Sequence, residues 1–444
     1  MKRFVFLLVG LGLLAHAPVD AQTPDHQHDA EGRHVYAGLS LSLTGAIEEA
    51  LSNNPSLTAA RLEARPLRSR RTQEAYLAPP TVEAEIWQWP LTTANPMDTN
   101  MYMFTIRQEL PGKGKRALRA ATIDKDIARV DIDVVAGSRS IATDVRQTYV
   151  ELFVARQAVA VHEESVVLLR QTADLITARY GAGHGGQSDV LKSVTEIASV
   201  HSDLVMLEER VQLATARLNT LMNRPPGGPI GDISVVTDDA PLPAVDDLQR
   251  LALDAHPELR AARSDIERAE AQVALANSDR KPDFVVGGGY QLMPRSAGAW
   301  TAMAGMTWPS APWSRGRIDA AVAQAAGEVP LARAKQQVLA NQIAGAIQQA
   351  FIRATAARSR ATLLRTGVIP QAQQLLAAAQ VAYQSDRGDA SALIDNQRMV
   401  LDLQLQYFQA LADFQLAHVD LQRAVGTDLP AAPPATRTAM AGVR

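Results

Sequence analysis

The sequence predicts a mainly α-helical fold, with long antiparallel helices forming an α-barrel joined to a small transmembrane β part. Each chain is expected to contribute four strands to a trimeric, twelve-stranded outer-membrane β-barrel. Three observations predict this. The stretch Y-M-F-T-I-R-Q-E-L-P-G-K-G-K-R-A-L-R at residues 102–119 switches from strand to helix periodicity. The helix it opens keeps its pattern for about 65 residues, roughly 100 Å at 1.5 Å per residue. The whole arrangement then recurs at an offset of about 200 residues, which marks an internal duplication.

In chain order, Lys2 and Arg3 precede an apolar run, and small residues lead to Val19-Asp20-Ala21. This pattern predicts a secretory signal peptide over residues 1–21, too short to anchor in a membrane. Residues 22–40 are polar and read as a disordered leader containing His26, His28 and His34. Those imidazoles also suit a weak metal-collecting tail. An amphipathic helix follows at about residues 43–77, with bends expected at Asn54-Pro55 and Pro66. Strands are expected over about 81–89, where Val82, Ala84 and Ile86 share a face, and 100–109, where Tyr102, Phe104 and Ile106 do. The long helix covers about 115–180 and ends in a glycine-rich turn, and a return helix closes near Met222.

After a Pro- and Asp-rich linker over 229–244, the first structural repeat (41–228) is followed by a second over 245–426. Asn54-Pro55 reappears as His256-Pro257, and Tyr180 as Tyr383. Strands are expected at about 283–292 and 299–308, and a long helix at about 317–383, in which Pro330 predicts a kink or irregular turn. Residues 427–444 read as a disordered tail. Four strands cannot close a barrel, and lipid does not tolerate open strand edges, so several chains must combine. A closed symmetric trimer gives an even total within the range usual for outer-membrane barrels.

Composition narrows the function classes. A formal net charge of −3 gives no bias toward nucleic acid, and the absence of cysteine excludes thiol chemistry, disulfides and lipidation on Cys. Gly112-Lys113-Gly114-Lys115 lacks the spacer and Ser/Thr of a phosphate loop and reads as a basic collar at the membrane boundary. No catalytic constellation is apparent, so neither an enzyme nor a cofactor is expected. The five tryptophans, Trp87, Trp89, Trp300, Trp308 and Trp313, fall at strand ends, as an interfacial girdle would. Met101 and Met103 lie opposite the Tyr102 face. They read either as ordinary packing side chains or as lumen thioethers able to touch a soft cation.

The paired A-I-x-x-A-L-x-x-N-P at residues 46–55, the junction E-L-P-G-K-G-K-R and the turns opened by Tyr180 and Tyr383 resemble the TolC family of outer-membrane efflux channels. The resemblance spans residues 43–426, and Q-E-L-x-G-K-x-K-R is similar to its heavy-metal branch of cobalt–zinc–cadmium and copper–silver type. It implies a homotrimer in the Gram-negative outer membrane with a long periplasmic extension. Such a trimer would act as a passive exit duct, fed by an inner-membrane pump of RND or other type through a periplasmic adaptor. The adaptor contacts it implies are the tips, Tyr180, Gly183, Asp189, Leu191, Tyr383, Gly388 and Leu393, and the aperture gate it implies is Asp395, with Asp189 in the first repeat. A type I protein-secretion outlet and a non-pore periplasmic coiled-coil scaffold are the alternative readings.

Overall fold

The computed structural model describes Tyr36 and residues 38–233 and 242–429. The signal peptide, His26, His28, His34 and residues 430–444 lie outside the described residues. Two short helices open the fold, α1 (Leu43–Asn53) and α2 (Pro55–Gln73). Ser42 Oγ caps the first by accepting from Gly45 N at 3.1 Å. Asn54, with extended backbone, then stops α1 and caps α2, so the single helix expected over 43–77 is two helices. Pro66 sits within α2 without ending it.

Strands β1 (Thr81–Trp87) and β2 (Met101–Leu110) lead into α3 (Lys115–Gly181), whose 67 residues span about 100 Å. The return helix α4 is Gln187–Leu221. The second repeat supplies α5 (Val245–Ala255), α6 (Pro257–Ser278), β3 (Phe284–Leu292), β4 (Ala299–Met306), α7 (Pro312–Leu363), α8 (Ile369–Gln384) and α9 (Ala390–Val425).

The irregular turn expected at Pro330 is elsewhere. Pro330 is exposed and α7 runs through it, so the carbonyl of Ala326 that loses its donor is on the solvent side. The interruption is a π turn at Leu364–Val368, where Ile369 N–H donates to Leu364 O. Pro370 follows immediately and has no N–H to return to Thr366, and the extra residue of the π turn absorbs that missing bond.

Helix α3 is central, packing on α1, α2, α4, α6 and α9, while α7 packs on α6 and α9. One core joins Ala46 and Ala50 of α1 to Val145, Tyr149 and Leu152 of α3 and Leu218 of α4. Its counterpart joins Leu248 and Ala252 of α5 to Ile347 of α7 and Leu421 of α9. Residues 38–40, expected as disordered leader, are instead held against the start of the linker. Gly231 N donates to Leu39 O at 3.1 Å and Leu41 N to Asp232 O at 2.8 Å. Arg156, buried in α3, fixes that linker by donating to Gly231 O (2.6 Å) and Ile230 O (2.7 Å), with its guanidinium 3.8 Å from the Tyr36 ring centroid.

Candidate functional site: the sheet face and the helical tips

The four strands form one antiparallel sheet in the order β1-β2-β3-β4. Its register puts Val82, Ile86, Tyr102, Phe104, Ile106, Val286, Tyr290, Leu292, Trp300 and Met306 on one face. Most of these are more than two-fifths exposed, so this face is apolar and uncovered. The other face carries Glu83, Glu85, Arg107, Glu109, Gln291 and Thr301, together with Met101, Met103, Met303 and Trp87, so Trp87 departs from the lipid-facing girdle expected of the tryptophans. Arg107 pairs with Glu83 across it at 2.7 Å. An apolar face and a polar face on strands of this length are what lipid on one side and water on the other require. Met101 and Met103 lie on the polar face, as their parity predicts.

Below the sheet, the two repeats are stapled where strand becomes helix. Asp283, just before β3, accepts from Gly112 N (2.7 Å) and Lys115 Nζ (2.9 Å), and Asp279 lies 3.6 Å from the same ammonium. Burial pushes the Asp283 carboxyl up, but the Gly112 N–H and Lys115 together hold it below its ordinary value. A side chain at position 112 has no room, because an ideal Cβ there would sit 2.5 Å from Pro282 O. The G-K-G-K segment is therefore more than a collar. Its second lysine is 3% exposed and joins the repeats.

At the far end, the turns of the two repeats are tied crosswise. Arg179 pairs with Asp386, donates to Tyr383 O and stacks its guanidinium 4.5 Å from the Tyr383 ring centroid. Lys192 Nζ is 3.3 Å from Asp395 Oδ1, Arg398 Nε donates to Glu196 Oε1 at 2.9 Å, and Gln397 Nε2 donates to Thr172 Oγ1 at 2.6 Å. Burial, aided by Asp189 and Asp389 and opposed by Arg179, raises the Tyr383 phenol above its ordinary pKa.

The residues singled out from sequence thus divide. Tyr180 and Leu191 are exposed, whereas Tyr383 and Leu393 are buried. Gly183 adopts a left-handed backbone (φ 82°), and Gly388 packs on the Tyr383 backbone. Asp189 Oδ2 accepts from Gly186 N at 3.3 Å and caps α4. Asp395 is paired with Lys192. Sequence reading missed Arg179, Lys192, Glu196 and Arg398. The signal was there, since Lys192 and Asp395 carry opposite charges at equivalent places, each twelve residues after its tyrosine.

The same two-copy layout is found in known proteins. The family model described as outer membrane efflux protein matches residues 46–224 and 248–427. The chain belongs to the outer membrane efflux protein family. It is an outer-membrane efflux channel. Among curated proteins it is 23% identical over 391 residues to the cobalt-zinc-cadmium resistance protein CzcC of Cupriavidus metallidurans, covering 87% of this chain and 90% of the relative. Solved structures share the fold. The outer membrane protein VceC of Vibrio cholerae matches with a TM-score of 0.71 at 20% identity, over 87% of this chain and 96% of that one. CusC matches with a TM-score of 0.71 at 18% identity, over 91% and 99%.

Proposed function

We propose that this efflux channel is a homotrimeric, passive exit duct of a tripartite system. It would take substrate from an inner-membrane pump through a periplasmic adaptor seated on the helical tips. The observation that carries this reading is the sheet. In the order β1-β2-β3-β4, both β1 and β4 have one unpaired edge among the described residues, and lipid does not tolerate such edges. Three copies joined edge to edge give twelve strands with the apolar face outward and the acidic, methionine-bearing face around a lumen. The helices agree. Exposed apolar residues line α4 (Val194, Val205, Leu213) and α7 (Val338, Ile352), the two helices that flank α3 and α9, where neighbouring copies would meet.

Transition-metal cations are the substrate class we assign, supported by the likeness to a cobalt-zinc-cadmium resistance protein along most of the chain. Light scattering of the detergent-solubilised protein tests the assembly, since a stable, fully folded monomer would overturn it. Deleting the gene is expected to lower tolerance to cobalt, zinc or copper. Sensitivity to dyes and detergents with unchanged metal tolerance would point to a general drug duct instead.

A further inference from the structure

We propose that the outer end of the polar sheet face holds a soft-cation site made of Trp87, Met101, Met103 and Glu85. The four side chains form a block on two neighbouring strands. Trp87 of β1 is the direct partner of Met101 of β2, and Glu85 is the direct partner of Met103. Direct partners in an antiparallel pair have Cβ atoms about 4.5–5.5 Å apart, and alternate residues of one strand stand about 7 Å apart on the same face. Two thioethers, an indole and a carboxylate therefore stand as neighbours on one small patch.

The patch is held in place. Trp87 O accepts from Thr99 Oγ1 (3.0 Å) and Asn100 N (3.2 Å), which fixes the end of β1. Gln291, next across the sheet, donates from Nε2 to Met103 Sδ at 3.6 Å, so the thioether lone pairs already face a positive dipole. Glu83 is occupied by Arg107, whereas Glu85 has no ion-pair partner among the described residues. Met101 and Met103 are only partly exposed, and Trp87 is 45% exposed, which leaves its ring accessible to a cation.

This ligand set selects its ion. Thioethers bind soft d10 monovalent cations, Cu(I) or Ag(I), whereas Zn(II) and Co(II) favour imidazole, thiolate or carboxylate. An aromatic face adds attraction for a poorly hydrated cation, and Glu85 balances its charge. Met101 lies at the end of β2 away from α3, so the site is at the outer mouth, the last ligand a departing ion meets. The proposal rests on the polar face lining the lumen.

The test is titration of the full-length, detergent-purified protein with silver nitrate in chloride-free buffer, by calorimetry and tryptophan emission. Wild type is expected to bind silver with quenching that excess zinc does not reverse. Met101→Leu/Met103→Leu preserves side-chain volume and is expected to lose one silver per chain, or to weaken that binding at least tenfold. Trp87→Phe is expected to lose the quenching, and Glu85→Gln to weaken binding severalfold without disturbing the thioethers. Equal silver stoichiometry and affinity in wild type and the double variant would overturn the site. Planar-bilayer conductance of the same samples separates this from the duct itself. Silver binding that depends on the two methionines supports the site even if no pore conducts, and a conducting pore with no such dependence overturns the site while the duct stands.

Discussion

Asn54 and His256 do the same work with different atoms. Asn54 Oδ1 accepts from Ser56 N at 2.9 Å and its Nδ2 donates to Leu221 O at 3.0 Å, so one side chain caps α2 and holds it to the end of α4. His256, at the equivalent place, accepts from Glu258 N at Nδ1 (3.2 Å) and so caps α6, with the nearby Arg423 carbonyl of α9 favouring its protonated form. Gly426, left-handed at φ 75°, lets the chain pass, because a Cβ there would lie 2.7 Å from Pro257 Cδ. An amide keeps its acceptor at every pH, whereas an imidazole loses it on protonation.

A pH dependence follows at one joint only. Burial lowers the His256 pKa below 6.5, with Glu258 opposing and Arg139 of α3 adding to the shift. Arg146, Arg423 and Asp428 line the same recess, and Arg353 and Asp420 lie beyond it. With the folded value below the unfolded one, the contribution is complete above about pH 6.5 and is lost as pH falls from there through the folded pKa. Losing a cap of this kind costs about 0.5–2 kcal/mol. Thermal unfolding of the solubilised protein is expected to drop between pH 7.5 and 5.5, and to drop less in His256→Asn. Some dependence is expected to remain, because burial also lowers His418. An identical drop in both proteins would place the titration elsewhere.

The junction staple gives a stability prediction. Removing the carboxylate in Asp283→Asn leaves the Lys115 ammonium, 3% exposed, with only the more distant Asp279. Loss of a charged hydrogen bond of this kind costs about 1.5–3 kcal/mol. Gly112→Ala is expected to be worse, since Pro282 O must move. Both are measured as a lowered midpoint in thermal unfolding, and an unchanged midpoint for both would show that the staple does not hold the repeats.

The elements were legible because their periods are. Alternation at Tyr102, Phe104 and Ile106, and the helical pattern after Lys115, give the strand-to-helix junction directly, and repetition near 200 residues gives its partner. Pro330 misled for a local reason. A proline disturbs a helix according to whether the freed carbonyl finds water, and sequence does not say which side of α7 it faces. The crosswise tip pairs and the Lys115–Asp283 contact were hidden because they join residues 168 to 225 positions apart. Opposite charges at equivalent places hinted at Lys192 and Asp395, but nothing in the pattern showed that Tyr383 is buried while Tyr180 is exposed.

The π turn sets the phase of the second tip. At the rotation the extra residue provides, Ala372, Leu376 and Tyr383 of α8 share a core with Ile176 and Ile394. Deleting Gly367 would remove the extra residue and turn α8 by about 100°. Such a variant is expected to lose stability and transport together, whereas Pro370→Ala is expected to keep both. Normal transport in the deletion would mean that the tip tolerates either phase.

The last prediction concerns Asp395 and the resting aperture. In the trimer we propose, three copies of this carboxylate would ring the axis near the tip and attract hydrated cations. Each is met by Lys192 at 3.3 Å, and both side chains are well exposed. An exposed pair contributes about 0–1 kcal/mol to folding, so neither residue is expected to matter for stability. Their weight is on permeant charge. Asp395→Ala is expected to weaken block by multivalent cations entering from the periplasmic side and to raise resting conductance. Lys192→Ala, which leaves the carboxylates unneutralised, is expected to strengthen the same block. Asp189 is engaged in capping α4, so Asp189→Ala is expected to change conductance less than Asp395→Ala. Planar-bilayer recordings decide it. Opposite shifts in Asp395→Ala and Lys192→Ala place the ring here, and unchanged block in both moves the constriction to another level of the rod.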